Sequence, residues 1–224
     1  MIAAAIDDSS STTSLQQDQD EPPVYYALKE INLELVNPQL IDEMRNEIEM
    51  LRTLDHPNII RAFETYYYTY CSPREGGLPK PMVGIVLELC NGGDLSSRSP
   101  YTERQAGWIL YQLVEAIQYL HSRHIIHRDV KFGNIMFESM NRPNDNDNYD
   151  QIKLIDFGLS KKFLHHPYVS GTFGTVYTMS PQVVQGMTYT SQCDLWSIGV
   201  VAFELLSGEK PFWGNSLYVV CHTC

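Results

Sequence analysis

Long hydrophobic runs are absent from this sequence. Its longest apolar stretch, Trp196 to Leu206, is interrupted by Glu204 and falls well short of the roughly 20 residues a membrane-spanning helix needs. The amino terminus offers no signal-peptide core, because Met1 to Ile6 is short, lacks a basic flank and runs into Asp7-Asp8. Basic residues are scarce too: 16 Lys and Arg against 27 Asp and Glu, a net charge of −11. That balance argues against a nucleic-acid or anionic-membrane binder. Cysteines number only five, at 71, 90, 193, 221 and 224, an odd count set mostly in apolar runs. A disulfide framework is therefore not expected, and a reducing compartment is. Cys221-His-Thr-Cys224 has the spacing of half a zinc site, but no second ligand pair follows, so it reads as incidental. The expectation is a soluble intracellular protein of the cytoplasm or nucleus.

What is present is ordinary globular composition, 43% hydrophobic and 19% charged over 224 residues, enough for one large domain or two lobes. Residues 7–23 are rich in Ser, Thr, Asp and Gln without periodicity and read as a flexible loop. Val24 to Leu33 alternates β-branched and aromatic residues and predicts a strand. Asn37-Pro38 opens a helix with Ile41, Met44, Ile48 and Leu51 on one face, closed by Asp55-His-Pro-Asn58. Strands are expected over Ile59 to Tyr70 and Met82 to Leu89, around a Gly/Pro-rich loop at 72–81. Asn91-Gly-Gly93 is a candidate hinge. Beyond it Ile109, Leu113, Ala116, Ile117 and Leu120 form a helical stripe, and Leu195 to Leu206 reads as a buried helix. Between them lie two short strands, Ile135-Met-Phe137 and Ile152-Lys-Leu-Ile155, joined by the polar loop Met140 to Asp150.

The strongest local signals are His127-Arg-Asp-Val-Lys-Phe-Gly-Asn134 and, after that hairpin, Asp156-Phe-Gly158. Together they resemble the catalytic loop and metal-binding motif of eukaryotic protein kinases. Phosphoryl transfer needs a carboxylate near the attacking hydroxyl, the role Asp129 would take. It also needs hard oxygen ligands for Mg2+, which Asn134 and Asp156 would supply, and a cation to offset the moving phosphate, here Lys131. Tyr26-Ala-Leu-Lys29 looks like the strand whose lysine holds the ATP phosphates. Lys29 sits among apolar neighbours, an expensive place for an unpaired charge. Glu47, in Asn46-Glu-Ile-Glu-Met-Leu51 and flanking the apolar face of that helix, matches its partner, whereas Glu49 should face solvent.

The resemblance extends further. Val86 to Leu95 is similar to the segment linking the lobes, so Leu87 would gate a back pocket and the main chain of Glu88 and Cys90 would meet adenine. Asp94 would meet the ribose or a basic substrate residue. Gly174-Thr175 and Ser180-Pro-Gln182 look like the end of an activation segment, with Thr175 bracing Asp129 and Lys131. Ser170 and Thr172 would accept a phosphate from an upstream kinase, and Arg128 would pair with it. Asp194 matches a buried aspartate that holds the catalytic-loop backbone. Lys131 favours a serine/threonine enzyme, and Gly171 to Phe212 looks most like calcium/calmodulin-dependent and calcium-dependent kinases. The regular spacing of His121, His124 and His127 is better explained by these contexts than by a metal.

The implied fold is α+β and two-lobed: a small β-rich lobe with one helix over 24–90 and a larger, mainly helical lobe over 91–224. The implied activity is ATP- and Mg2+-dependent phosphorylation of a protein serine or threonine. Departures leave an alternative open, a kinase-like binding module without catalysis. No Gly-x-Gly-x-x-Gly precedes Lys29, Gln182 replaces a glutamate, and the resemblance fades after Trp213-Gly214. On this reading the chain is cut short at both ends, Met1 to Ile6 continues the first strands, and apolar surface on the 195–206 helix is left uncovered.

Overall fold

The computed structural model describes residues 2–4, 24–35, 38–71, 78–140, 150–163 and 168–212. The expected loop 7–23, Asn37, positions 72–77 and 141–149, and the tail 217–224 with Cys221 and Cys224 lie outside the described residues. The chain divides into two compact units, Met1–Ile48 with Arg61–Leu89, and Glu49–Ile60 with Cys90–Cys224.

The small unit is an antiparallel sheet in the order β1-β2-β4-β3 with one helix. Its strands are β1 (Ile2–Ala4), β2 (Tyr26–Asn32), β3 (Ala62–Tyr70) and β4 (Lys80–Glu88), and α1 spans Pro38–Thr53. Directly paired residues share a face. Ala27, Lys29 and Ile31 therefore stand beside Leu87, Ile85 and Val83, of which Val83 and Ile85 are fully buried. The α1 stripe follows the predicted period: Met44, Ile48 and Leu51 are buried, Ile41 is half-buried and Glu49 is exposed. On the other sheet face Gly84 has Leu28 and Tyr68 close by; a Cβ there would lie 3.2 and 3.3 Å from them. Above it the Tyr68 phenol donates to Glu30, and that bond pushes the phenol up to about 12.

Several strand limits differ from the sequence expectation: β2 starts at Tyr26, β4 runs from Lys80 to Glu88 and the strand from Ile152 ends at Leu154. Two further limits have a visible cause. β2 stops at Asn32 because the Asn32 side chain accepts from the Glu34 N–H at 3.0 Å and turns the chain into a short 3-10 segment. Ile59 and Ile60 do not open β3. They are buried in the large unit, where Ile60 N–H donates to Leu154 O (3.0 Å) and Leu154 N–H to Asn58 O (2.8 Å). Two apolar β-branched residues look the same to either partner, and only the tertiary pairing chooses.

In the large unit α2 (Glu103–Ser122) begins with a reciprocal Thr102–Gln105 capping box. Its stripe Ile109, Leu113, Ala116, Ile117 and Leu120 is buried, as the spacing predicts. Inside that stripe sits a polar residue, Gln112, only 2% exposed. Its Oε1 accepts from Asn58 Nδ2 (2.8 Å) and Ile152 N–H (3.0 Å), and its Nε2 donates to Asp150 O (3.0 Å). Gln112 thereby ties the 55–60 segment and β7 (Ile152–Leu154) to α2. β7 pairs with β6 (Ile135–Phe137), and β5 (Ile125–Ile126) with β8 (Lys161–Lys162). The candidate hinge at 91–93 is fastened to β6. Gly92 N–H donates to Phe137 O (3.1 Å) and Phe137 N–H to Gly93 O (2.8 Å), and a Cβ on Gly92 would meet Ser139 O at 2.4 Å. Arg98 lies 3.9 Å over the Phe137 ring and pairs with Asp150 at 2.8 Å.

The helix read as buried, α4 (Gln192–Ser207), is so on one side only: Asp194, Val200, Val201 and Leu205 are buried, but Leu195, Phe203 and Leu206 are exposed. A short helix, α3 (Pro181–Val184), precedes it. Among the described residues no helix is long and apolar enough to cross a membrane.

Gln112→Met keeps the volume of the side chain but strands Ile152 N–H and Asp150 O. It should cost about 2–4 kcal/mol in a urea titration, whereas Gln118→Met on the exposed face of the same helix should stay within about 0.5 kcal/mol.

Candidate active site

The loop 127–134 leaves β5 and is held from below by Asp194, which is fully buried in the first turn of α4. Asp194 Oδ2 accepts from His127 N–H at 3.0 Å, and Oδ1 from Arg128 N–H at 2.9 Å. His121 Nε2 reaches Oδ2 at 2.8 Å, so His121 serves this carboxylate as well as sitting in the last turn of α2. The grip holds Arg128 at φ 69°, a left-handed conformation that a long side chain rarely adopts.

One residue on, Asp129 points into a hydrogen-bonded group. Its Oδ1 accepts from Thr175 Oγ1 at 2.6 Å; its Oδ2 lies 2.7 Å from Lys131 Nζ and accepts from Asn134 Nδ2 at 2.9 Å. Lys131 Nζ also donates to Thr175 Oγ1 at 2.8 Å. Thr175 reaches the group because Gly174, at φ 116°, passes so close that a Cβ would lie 2.4 Å from Arg128 O. The structure thus brings Asp129, Lys131, Asn134 and Thr175 together. Asp156 follows directly on Ile155, whose N–H donates to Asn134 O at 2.9 Å. It is exposed and left-handed at φ 63°.

His127 is fully buried, and burial pushes its imidazole below the ordinary 6.5. A neutral ring protonated on Nε2 fits both neighbours, donating to Ile155 O at 3.2 Å and accepting from Asp129 N–H at 3.3 Å on Nδ1. His124 packs edge-on against Phe163, so the three regularly spaced histidines have three separate settings.

In the small unit Lys29 Nζ meets Glu47 Oε1 at 2.8 Å, with Glu47 nearly buried. Leu87 is buried opposite Ala27, and Glu88 pairs with Tyr26 and with Arg61, whose O accepts its N–H at 2.9 Å. Cys90, also buried, begins the second stretch of the large unit. Asp94 caps the 3-10 turn Leu95–Arg98, accepting from Ser97 N–H at 3.1 Å. Arg128, expected to meet a loop phosphate, here donates to Leu159 O and lies 4.4 Å over Phe173, while Ser170 and Thr172 are exposed.

The comparison with known families decides what this arrangement is. The protein kinase domain model matches residues 10–222. The chain belongs to the protein kinase domain family. Serine/threonine-protein kinase 33 of Mus musculus is 35% identical over 199 residues, 85% of this chain and 38% of that protein. Calcium-dependent protein kinase 4 of Plasmodium falciparum (isolate 3D7) is 35% identical over 203 residues, 86% of this chain and 34% of that protein. The kinase domain described here therefore spans little more than a third of either relative.

Two residues of this kinase domain escaped the sequence reading. Ala27 shares the face of Lys29 and stands opposite Leu87, a position that the i, i+2 alternation from Lys29 could have flagged. The role of Gln112 had no local signal, because its partners lie tens of residues away.

Burial keeps His127 neutral in the folded chain, whereas the unfolded chain protonates it as pH falls below about 6.5. The unfolded state then binds more protons, so stability should fall with pH there by up to about 1.4 kcal/mol per unit. Unfolding midpoints measured between about pH 7.5 and about pH 5 should show that slope, and His127→Gln should flatten it while lowering stability at the upper end.

Proposed function

We propose that this kinase domain transfers the γ-phosphate of ATP to a serine or threonine hydroxyl of a protein substrate. One observation carries the reading: the Asp129 carboxylate is oriented by Thr175, Lys131 and Asn134 at 2.6–2.9 Å in a loop fixed from beneath by Asp194. Asp129 accepts the hydroxyl proton as the nucleophile attacks, and Lys131, shared between Asp129 and Thr175, offsets charge on the transferring group. Lys131 also supports a serine/threonine rather than a tyrosine acceptor.

The donor chemistry fits Mg2+. Asn134 spends its amide nitrogen on Asp129 O and Oδ2, which turns its amide oxygen elsewhere, and an amide oxygen with the Asp156 carboxylate makes a hard-ligand pair. When bound, the metal would neutralise phosphate charge. Lys29, held by Glu47, would bind ATP phosphates; Leu87 and the main chain of Glu88 and Cys90 would form the adenine contacts. We assign residues 24–90 to the small lobe and 91–224 to the large one, after a leading segment 1–23. Ser170 and Thr172 are the acceptors proposed for an upstream kinase, which their exposure supports. Free thiols at Cys71 and Cys193 support work in a reducing compartment, the cytoplasm or nucleus.

Purified chain with radiolabelled Mg-ATP and a generic basic protein should incorporate phosphate on serine or threonine. Asp129→Asn should lower the rate about 10²- to 10⁴-fold with little change in unfolding midpoint. Transfer that survives Asp129→Asn would remove Asp129 from its role; binding of Mg-ATP without any transfer would favour a binding module instead.

A further inference from the structure

The outer edge of the small unit's sheet carries a signal that phosphoryl transfer does not use. β3 stands last in the sheet order, so among the described residues its outward N–H and C=O groups meet no strand. Edge strands in natural proteins are usually blunted by lysine, proline or a bulge. β3 has a register irregularity between Ala62 and Glu64, and from there the pairing runs unbroken from Glu64↔Val86 to Tyr70↔Lys80. That stretch, Glu64-Thr-Tyr-Tyr-Tyr-Thr-Tyr70, contains no Lys, Arg, Pro or Gly and a single charge. Its middle, Thr65-Tyr-Tyr-Tyr-Thr69, reads the same in both directions about Tyr67, which is also the midpoint of the unbroken register. Tyr66, Tyr67 and Tyr70 are 46%, 68% and 46% exposed, although Tyr67 pairs with the fully buried Val83.

We propose that β3 is a self-pairing edge on which a second copy of this chain docks antiparallel, about a two-fold axis through Tyr67. A two-fold interface must be self-complementary, residue i facing j and j facing i. The palindrome meets that condition: Tyr67 faces Tyr67, Tyr66 faces Tyr68 and Thr65 faces Thr69, giving aromatic and hydroxyl cross-strand pairs of the stabilising kind. This register keeps the buried faces of both sheets on one side, whereas a slip of two residues sets threonine against tyrosine. Charge agrees with it. Glu64 of one copy falls opposite Tyr70 of the other, and Tyr70 is paired with Lys80. A carboxylate and an ammonium thus flank Tyr70 on one face, two strand spacings or about 10 Å apart at the backbone, twice by symmetry, and no like charges are opposed. Tyr68 comes pre-set for the contact, because its hydroxyl is already held by Glu30.

Sedimentation equilibrium of the whole chain over a concentration series tests the proposal. A monomer–dimer equilibrium is expected, and Tyr67→Lys, which sets two ammonium groups against each other at the axis, should weaken it at least tenfold, with an unchanged melting temperature at concentrations where both chains are monomeric. In a Cys71→Ser background, Tyr67→Cys should oxidise to a disulfide-linked dimer, while Val24→Cys, on an exposed residue outside the strand, should not. The proposal is overturned by a chain that stays monomeric throughout, by open-ended growth beyond the dimer, or by equal cross-linking at both positions. A dimer that survives Tyr67→Lys but is lost in Leu206→Asp would place the interface on α4 and overturn it equally.

Discussion

Two consecutive backbone N–H groups, those of His127 and Arg128, converge on the two oxygens of the buried Asp194 carboxylate. A carboxylate taken out of water is tolerated only when its lone pairs are met, and here the peptide groups of the loop and His121 meet them. The bargain is mutual. The loop satisfies the charge, and the charge fixes the loop, including the left-handed turn at Arg128 that the chain would otherwise avoid. Everything chemical in the large unit is referred to that turn: it directs Asp129, it gives Gly174 a carbonyl to pass against, and so it delivers Thr175.

Around Asp129 the same economy recurs. Lys131, Asn134 and Thr175 each spend polar atoms on one carboxylate, so no single bond sets its orientation. His127, kept neutral by burial, adds a bond from beneath to the Asp129 peptide and ties it to Ile155, next to Asp156. The small unit meets a similar need with an ion pair. Lys29 lies on the buried face of β2, and Glu47 comes from α1 to meet it.

Much of this was legible beforehand. Periodicity located α1 and the stripe of α2, because a helix that must bury one face writes that need into every third or fourth residue. The 127–134 loop was equally visible, through the resemblance its residues carry to the catalytic loop of protein kinases. Strand limits were less legible. Ile59 and Ile60 suit any buried strand, and Asn32 ends β2 through a side-chain bond that alternation does not register. The 195–206 run reads as a buried helix with some apolar surface left uncovered, but that Leu195, Phe203 and Leu206 are the exposed residues was not legible, because an apolar run says nothing about which side finds a neighbour.

What the sequence by itself determined is local: which segments are amphipathic, where turns fall, and which residues carry the resemblance to a protein kinase. Only the tertiary structure decided which of them touch. Asp129 and Thr175, Lys29 and Glu47, and Gln112 with Asn58 and Ile152 are pairs far apart in the chain. Their bonds are directional and fail beyond a few tenths of an ångström, whereas the sequence pattern is set by burial, which is not directional. The aspartate of His127-Arg-Asp129 could be picked out from the letters alone. That its carboxylate faces a threonine, a lysine and an asparagine at once follows from a packed fold in which Asp194 had first fixed the peptide before it.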